Sequence, residues 1–268
     1  TQVTRGFTYS VVVADNDGAK SAQAEVEGFP SKVPVVYCAE PEQNIALARN
    51  RALSHAEGEF AAFIDDDEVP GETWLVTMFE ALQSQGGEGV LGPVRPYFDN
   101  APPEWVIKGR FFDRPVHPTG LKLAFTQCRT GNVLFAQRIL KGEPMPFLPE
   151  FGSGGEDTNF FQRMAEKGYV FTWCEEAPVH ELVPPARSNF SFLLKRAMLR
   201  GSNFPKHSAH RGRNILKSLV AVPAYTLALP VLALLGQHLF VKYFVKLSEH
   251  GSRLLASAGW SVVKERQT

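Results

Sequence analysis

Cysteine is scarce in this chain: three among 268 residues, Cys38, Cys128 and Cys174, lying far apart. An odd, scattered set offers neither a disulfide framework nor metal-ligand spacing, which fits a reducing compartment. Net charge is missing too, because 28 Lys and Arg balance 28 Asp and Glu. That removes any whole-chain electrostatic argument for a nucleic-acid partner, and none is expected. No internal repeat and no low-complexity tract is present. At 44% hydrophobic and 21% charged the composition is globular, and the length suits one large α/β domain or one domain with an appendage. No signal peptide is read at the start. With no initiator Met before an almost immediate strand-like run, the natural N-terminus is expected to lie upstream.

The most informative stretch present is Asp65-Asp66-Asp67-Glu68, directly after the apolar run Phe60-Ala61-Ala62-Phe63-Ile64. A buried strand ending in four acids concentrates repelling charge at one point of a fold. Such a cluster is either a solvated acidic turn or a cation site. An EF-hand is disfavoured, since the alternating ligands and the Gly at the sixth position are absent. The functional reading is an Asp-x-Asp pair, Asp65 and Asp67, facing Mg²⁺ or Mn²⁺ on a diphosphate whose departure needs its charge neutralised.

Around this point strands and helices alternate. Tyr9 to Ala14 reads as a buried strand stopping at Asp15-Asn16-Asp17-Gly18, and Val33 to Tyr37 as another. Ile45, Ala48, Ala52 and Leu53 recur at helical spacing, and Thr73 to Gln83 is an amphipathic helix ended by Gly86-Gly87. Gly89 to Val94 and Val170 to Cys174 read as strands. Asn100 to Gly120, rich in Pro, Trp and Phe, reads as a long loop over the site. A Gly-rich segment at 152–155 leads into a helix from about Asp157 to Lys167. The alternation predicts a mostly parallel sheet flanked by helices. Ligands of such sheets bind beyond the carboxyl ends of the strands, where Asp15 and Asp65 both fall.

Other residues carry chemistry only beside their plainer roles. Asp15 sits in an ordinary turn sequence, yet a carboxylate there suits a uracil N–H or a ribose hydroxyl. Glu156 and Asp157 are ordinary first-turn acids, and also well placed for a general base. His180 is a lone histidine or a third metal ligand beside Asp67. Arg49 is a helix-surface residue or a phosphate contact. Arg129-Thr130-Gly131-Asn132 is a turn whose Asn is able to contact sugar hydroxyls.

From Arg187 to Lys217 there are eight Lys and Arg and no acid, and Ser218 to Val241 carries no charged residue. At about 1.5 Å per residue the latter is long enough for a hydrocarbon core of about 30 Å, with Pro223 and Pro230 interrupting it. The basic flank would meet anionic headgroups and stay cytoplasmic. The plainer alternative is a solvated basic helix followed by a buried helical hairpin.

Taken in order, VVVADND (11–17), NIALARNRAL (44–53), FIDDDE (63–68), RTGNVLF (129–135), GGEDTNFFQRM (154–164) and VHELVPPAR (179–187) resemble an inverting family 2 glycosyltransferase of the GT-A fold. VVVADND, AFIDDDE, LGPVRP and GGEDTNFF are similar to succinoglycan-type bacterial exopolysaccharide glucosyltransferases. The resemblance implies a Rossmann-like α/β domain over 1–200 and a basic, hydrophobic, helical membrane-associating region over 201–268. It implies a metal-dependent transfer of one sugar, glucose, from a UDP-sugar to a polyprenyl-diphosphate-linked glycan at the cytoplasmic face of the inner membrane. By this resemblance Asp15, Arg49 and Asp65 contact the nucleotide, and Asp67 and His180 the metal. Asp157 is the base, with Glu156 beside it. It also implies a strand–helix unit ahead of Asp15 that this sequence lacks, so an N-terminal truncation is expected. The Gln-x-x-Arg-Trp motif of processive synthases is not found after Arg187, which favours single transfer. A nucleotidyltransferase, a non-catalytic nucleotide- or glycan-binding module and a polyprenyl-phosphate sugar synthase are the alternative readings.

Overall fold

A computed structural model describes residues 2–152, 154–207 and 211–260. Residues 208–210 and 261–268 of the expected C-terminal region, and Ser153 of the Gly-rich loop, lie outside the described residues. The chain forms two compact units, one of residues up to 95 with 114–181, the other of 96–113 with the chain from 182 onward.

The chain begins with β1 (Val11–Asp15), α1 (Gln23–Gly28) and β2 (Val35–Ala39). β1 and β2 pair in parallel, Val13 beside Tyr37 and Asp15 beside Ala39. Their consecutive valines suit a pleated, half-buried surface. α2 (Ile45–Ser54) starts at Asn44, whose Oδ1 accepts the Ala46 and Leu47 amides at 3.0 and 3.3 Å and so caps the helix. β3 (Phe60–Ile64), β4 (Glu68–Pro70) and α3 (Trp74–Gln85) follow, and α3 ends at Gly86 with φ +70°. Next come β5 (Gly89–Leu91), β6 (Val94–Tyr97), α4 (Glu104–Gly109), β7 (Asn132–Ala136), α5 (Glu156–Glu166), β8 (Phe171–Trp173) and β9 (Val179–Leu182). The C-terminal helices are α6 (Phe190–His207), α7 (Arg211–Leu235) and α8 (Gln237–Ser257).

Two expectations change here. The stretch 89–94 is not one strand: it breaks at Gly92-Pro93, where the Gly92 amide donates to the Asn132 carbonyl and Pro93 has no N–H for a ladder. The segment 100–120 is not loop throughout, because it contains α4.

The sheet is mixed, not mostly parallel. Its four-stranded part has the order β3-β7-β5-β8. β7 runs antiparallel to both β3 and β5, and only β5–β8 is parallel. β3 and β5 run the same way, but the reversed β7 lies between them. β4 and β9 pair antiparallel in a smaller sheet, with Glu68 opposite Glu181 and Val69 opposite His180. Phe135, Phe147, Phe160, Phe161 and Met164 fill one core, with no measurable exposure. Met78, Val90, Ala177 and Val179 anchor a second, under α3.

Asn132 belongs to this packing, which corrects its reading as a sugar contact. It is buried, accepts the Trp74 indole N–H at 2.9 Å and donates to the Pro93 and Ala177 carbonyls at 3.1 and 2.9 Å. Its amide is fully engaged as a joint between strand, helix and loop. Asn132→Ala orphans all three buried partners and is expected to lower unfolding stability by about 3 kcal/mol or more. An unchanged midpoint in urea denaturation would contradict this.

In the second unit α8 is flanked by α6 and α7 and touches α4. The Phe190 and Phe244 rings lie 5.7 Å apart, and Tyr225 and Tyr243 lie 5.4 Å apart. Gly212–Leu235 is, among the described residues, the one helix long and apolar enough to cross a membrane by length and composition.

Candidate active site

The site is assembled by strand register. In the β3–β7 pair Ile64 lies opposite Asn132, so the next residues outward, Asp65 and Gly131, face each other. A Cβ on Gly131 would stand 2.7 Å from Glu68 Oε1 and 3.1 Å from Asp65 Oδ2. A side chain there would have to displace the Glu68 and Asp65 carboxylates. The same register brings Arg129, two residues earlier, to the site, where its Nε lies 3.8 Å from Asp157 Oδ2.

α2 supplies the central cation. Arg49 pairs through Nη1 with Glu156, and through Nη2 with Asp65 Oδ1 at 3.6 Å. Its guanidinium also lies 5.7 Å from the centroid of the Phe147 ring. Glu156 and Asp157 open α5 behind Gly155, whose φ of +96° turns the chain into the helix. Asn44 fixes the approach to α5, with its Nδ2 donating to the Pro149 carbonyl at 2.9 Å. Gly152 comes so near that a Cβ would fall 1.9 Å from Asn44 Oδ1.

The four acids of 65–68 differ in environment. Asp66 is exposed, and Asp67 is half-buried. Burial pushes the Asp65 carboxyl up, and Asp67 and Asp66 add to this against Arg49 and Arg114, although 42% of its side-chain surface still meets solvent. Glu68 is only 6% exposed, and its Oε2 accepts the Asp65 amide at 3.1 Å. Its Oε1 is buried without a hydrogen-bond partner. Burial first, and then Asp65 and Glu181, push its carboxyl up to about 8. Glu181 itself is paired with Arg114. Glu156 is likewise pushed up by burial, opposed chiefly by Arg49.

Arg49, Asp65 and Glu156 are therefore joined by direct ion pairs, and Asp157 follows Glu156 in the first turn of α5. Asp15 closes β1 in a network of its own: Oδ1 accepts the Asp17 amide, and Oδ2 accepts the Ala22 amide and the Tyr37 hydroxyl at 3.1 and 2.9 Å. His180 is exposed on β9 opposite Val69. Among the described residues no three of His, Cys, Asp and Glu gather as a metal-ligand set, so His180 and Asp67 are not part of such a cluster. Two carboxylates suffice for Mg²⁺, which keeps water and takes phosphate oxygens from its substrate, and Asp65 and Asp67 stand two residues apart just beyond the end of β3. Sequence reasoning singled out Asp65 and Asp67 from the acidic run and not Glu68, and gave Phe147 and Arg114 no role. No local pattern marks the last two, because their partners are remote in sequence.

These features describe a mixed α/β fold with carboxylates beyond its strand ends. The structure resembles that of S. aureus TarS 1–349 in complex with UDP, with a TM-score of 0.53 and 14% identity, covering 96% of this chain and 83% of that one. The family model for Glycosyl transferase family 2 matches residues 4–139. The succinoglycan biosynthesis protein ExoM of Rhizobium meliloti (strain 1021) is 36% identical over 211 residues, spanning 76% of this chain and 67% of ExoM. The chondroitin synthase of Escherichia coli is 25% identical, and the match spans 68% of this chain but 32% of that enzyme. The chain belongs to glycosyl transferase family 2 and is a glycosyltransferase.

Two outcomes follow from the buried charges. Arg49→Ala leaves Glu156 buried without its cation and is expected to cost roughly 3–5 kcal/mol, with Glu156→Gln in the same chain restoring part of it. Chemical denaturation of the single and double variants measures this, and equal loss in both would contradict the pairing. Glu68 prefers its neutral form when folded, whereas an unfolded Glu ionises near 4.5. Its contribution is complete below about 4.5 and is lost as pH rises toward about 8. In metal-free buffer Glu68→Gln should flatten the fall in stability across that window; an unaltered pH profile would count against a neutral Glu68.

Proposed function

We propose that this chain catalyses metal-dependent, inverting transfer of a single sugar, glucose, from a UDP-sugar to a lipid-linked glycan in exopolysaccharide synthesis. The observation that carries the reading is the Arg49 clasp, which ties Asp65 at the end of β3 to Glu156 at the head of α5. A donor diphosphate near Asp65 and an acceptor hydroxyl near Asp157 would thereby share one rigid frame. The donor class is supported by TarS, which has been crystallised with UDP and with UDP-GlcNAc. The exopolysaccharide role is supported by the relative named for succinoglycan biosynthesis. The transfer machinery is assigned to residues 1–200 and membrane association to 201–268, at the cytoplasmic face of the inner membrane. The long apolar α7 supports the latter.

In this mechanism Asp157 takes the proton of the acceptor hydroxyl as that oxygen attacks the anomeric carbon. Arg129 holds the Asp157 carboxylate from one side, and Asp157 Oδ1 accepts the Thr158 amide at 2.6 Å, so its direction is fixed. Glu156 acts through Arg49 as a positioning residue. Asp15 Oδ1 accepts one hydrogen bond within the chain and offers its other lone pair to the base N–H. Mg²⁺ or Mn²⁺, when held by Asp65 and Asp67, supplies neutralisation of the departing diphosphate.

A donor screen with Mn²⁺ and a membrane extract, followed by product analysis, tests the class: a sugar-extended lipid together with UDP is expected, and release of pyrophosphate would point to a nucleotidyltransferase. Asp157→Asn should reduce transfer by about 10²–10⁴-fold while sparing UDP-sugar binding. Turnover retained by that variant would sink the assignment of the base.

A further inference from the structure

The C-terminal unit carries an apolar face that sugar transfer does not use. On α7, Leu216, Leu219, Val220, Leu227, Val231 and Leu234 are all exposed, Leu227 and Leu234 at 80% and 89%. α7 contains no Asp or Glu, and no charge follows Lys217 within it. Taken alone, the 24-residue span Gly212–Leu235, at about 1.5 Å per residue, is long enough for a hydrocarbon core of about 30 Å.

Its neighbour argues against crossing. The chain turns at Gly236, with φ +141°, and α8 returns along α7. The Ser218 hydroxyl lies 2.9 Å from His250 Nδ1, and the Tyr225 ring packs on Tyr243. This register sets Lys242 and Lys246 beside the 222–226 stretch, in the middle of α7, and Glu249 and Arg253 beside its first half. Arg253 Nη1 reaches Ser218 Oγ at 3.5 Å. A spanning α7 would drag Lys242 and Lys246 into hydrocarbon or have to release α8. α8 is also held by α6, where the Ser252 hydroxyl donates to the Met198 carbonyl at 2.7 Å and Phe244 meets Phe190. A Cβ on Gly201 of α6 would fall 2.4 Å from the Glu249 carbonyl, so the two backbones are in close contact.

We infer that α7 lies in the plane of one membrane leaflet without crossing it, its outward row among the acyl chains and Arg213, Lys217, Lys242 and Lys246 at anionic headgroups. The inference rests on the membrane association proposed above and fixes its geometry. An interfacial helix needs one apolar and one polar side; here α8 and α6 supply the polar side from beneath. The basic rim complements anionic lipid. Beside the outward row the Thr226 hydroxyl donates its proton to the Val222 carbonyl at 2.8 Å, which spends its donor within the helix.

The test uses the full chain with sealed vesicles of phosphatidylcholine and phosphatidylglycerol. The native cysteines are buried, so Leu227→Cys takes an environment-sensitive dye and Gln237→Cys, at the turn, takes a membrane-impermeant maleimide. We expect co-flotation with the vesicles, a blue shift at position 227, and labelling at 237 by reagent added outside. Leu227→Gln with Leu234→Gln should weaken flotation about tenfold or more. Protection of position 237 until detergent is added would overturn the in-plane placement and leave membrane association standing. Absence of flotation would overturn both. A lipid-free, concentration-dependent dimer that shields position 227 and does not float would assign the face to a second copy and overturn the inference.

Discussion

One guanidinium organises the transfer unit. Arg49 is 11% exposed and stands between the acids at the end of β3 and those at the head of α5. Removing the charge would leave Glu156 buried against its own preference, and removing Glu156 would leave Arg49 buried against the ring of Phe147. α2 therefore does more than cover the sheet. From one turn Asn44 pins the 149–152 loop, and from the next Arg49 pins the helix that the loop feeds. Both grips act on the approach to Asp157, the base of the proposed mechanism.

Burial sorts the acids that composition treats as equal. Asp66 faces water, Asp65 is shared between solvent and Arg49, and Glu68 is drawn inward as the chain resumes pairing in β4. Opposite it sits Glu181, whose charge is already taken by Arg114. Burial and the Asp65 charge push a carboxyl in that place up to about 8, so the four acids do not share one affinity for protons. The unpartnered Oε1 of Glu68 and the absent side chain of Gly131 mark how tightly strand and turn close on each other.

The elements legible beforehand were those with a local cause. The helix that carries Ile45, Ala48, Ala52 and Leu53, the Gly86 stop and the apolar runs before Asp15 and Asp65 all appear where periodicity and turn chemistry put them. Sheet direction was not legible, since NVLFA at 132–136 is apolar on both faces and reads the same whichever way it runs. Asn132 misled for a related reason. Beside a Gly in a turn it looks like a ligand contact, but its hydrogen-bond partners lie 39 to 58 residues away in the chain.

By itself the sequence determined the family and the acids worth attention, because ordered motifs and strand-end carboxylates are local patterns. The tertiary structure alone decided which charges meet. Arg49 and Glu156 are 107 residues apart, and Ser218 and His250 are 32 apart on separate helices. Such pairs are selected by packing and strand register, and neither the sign of a charge nor the apolarity of a helix states what will lie beside it. The same 24-residue stretch reads as a membrane span in isolation and as one side of a helical hairpin once α8 is in place.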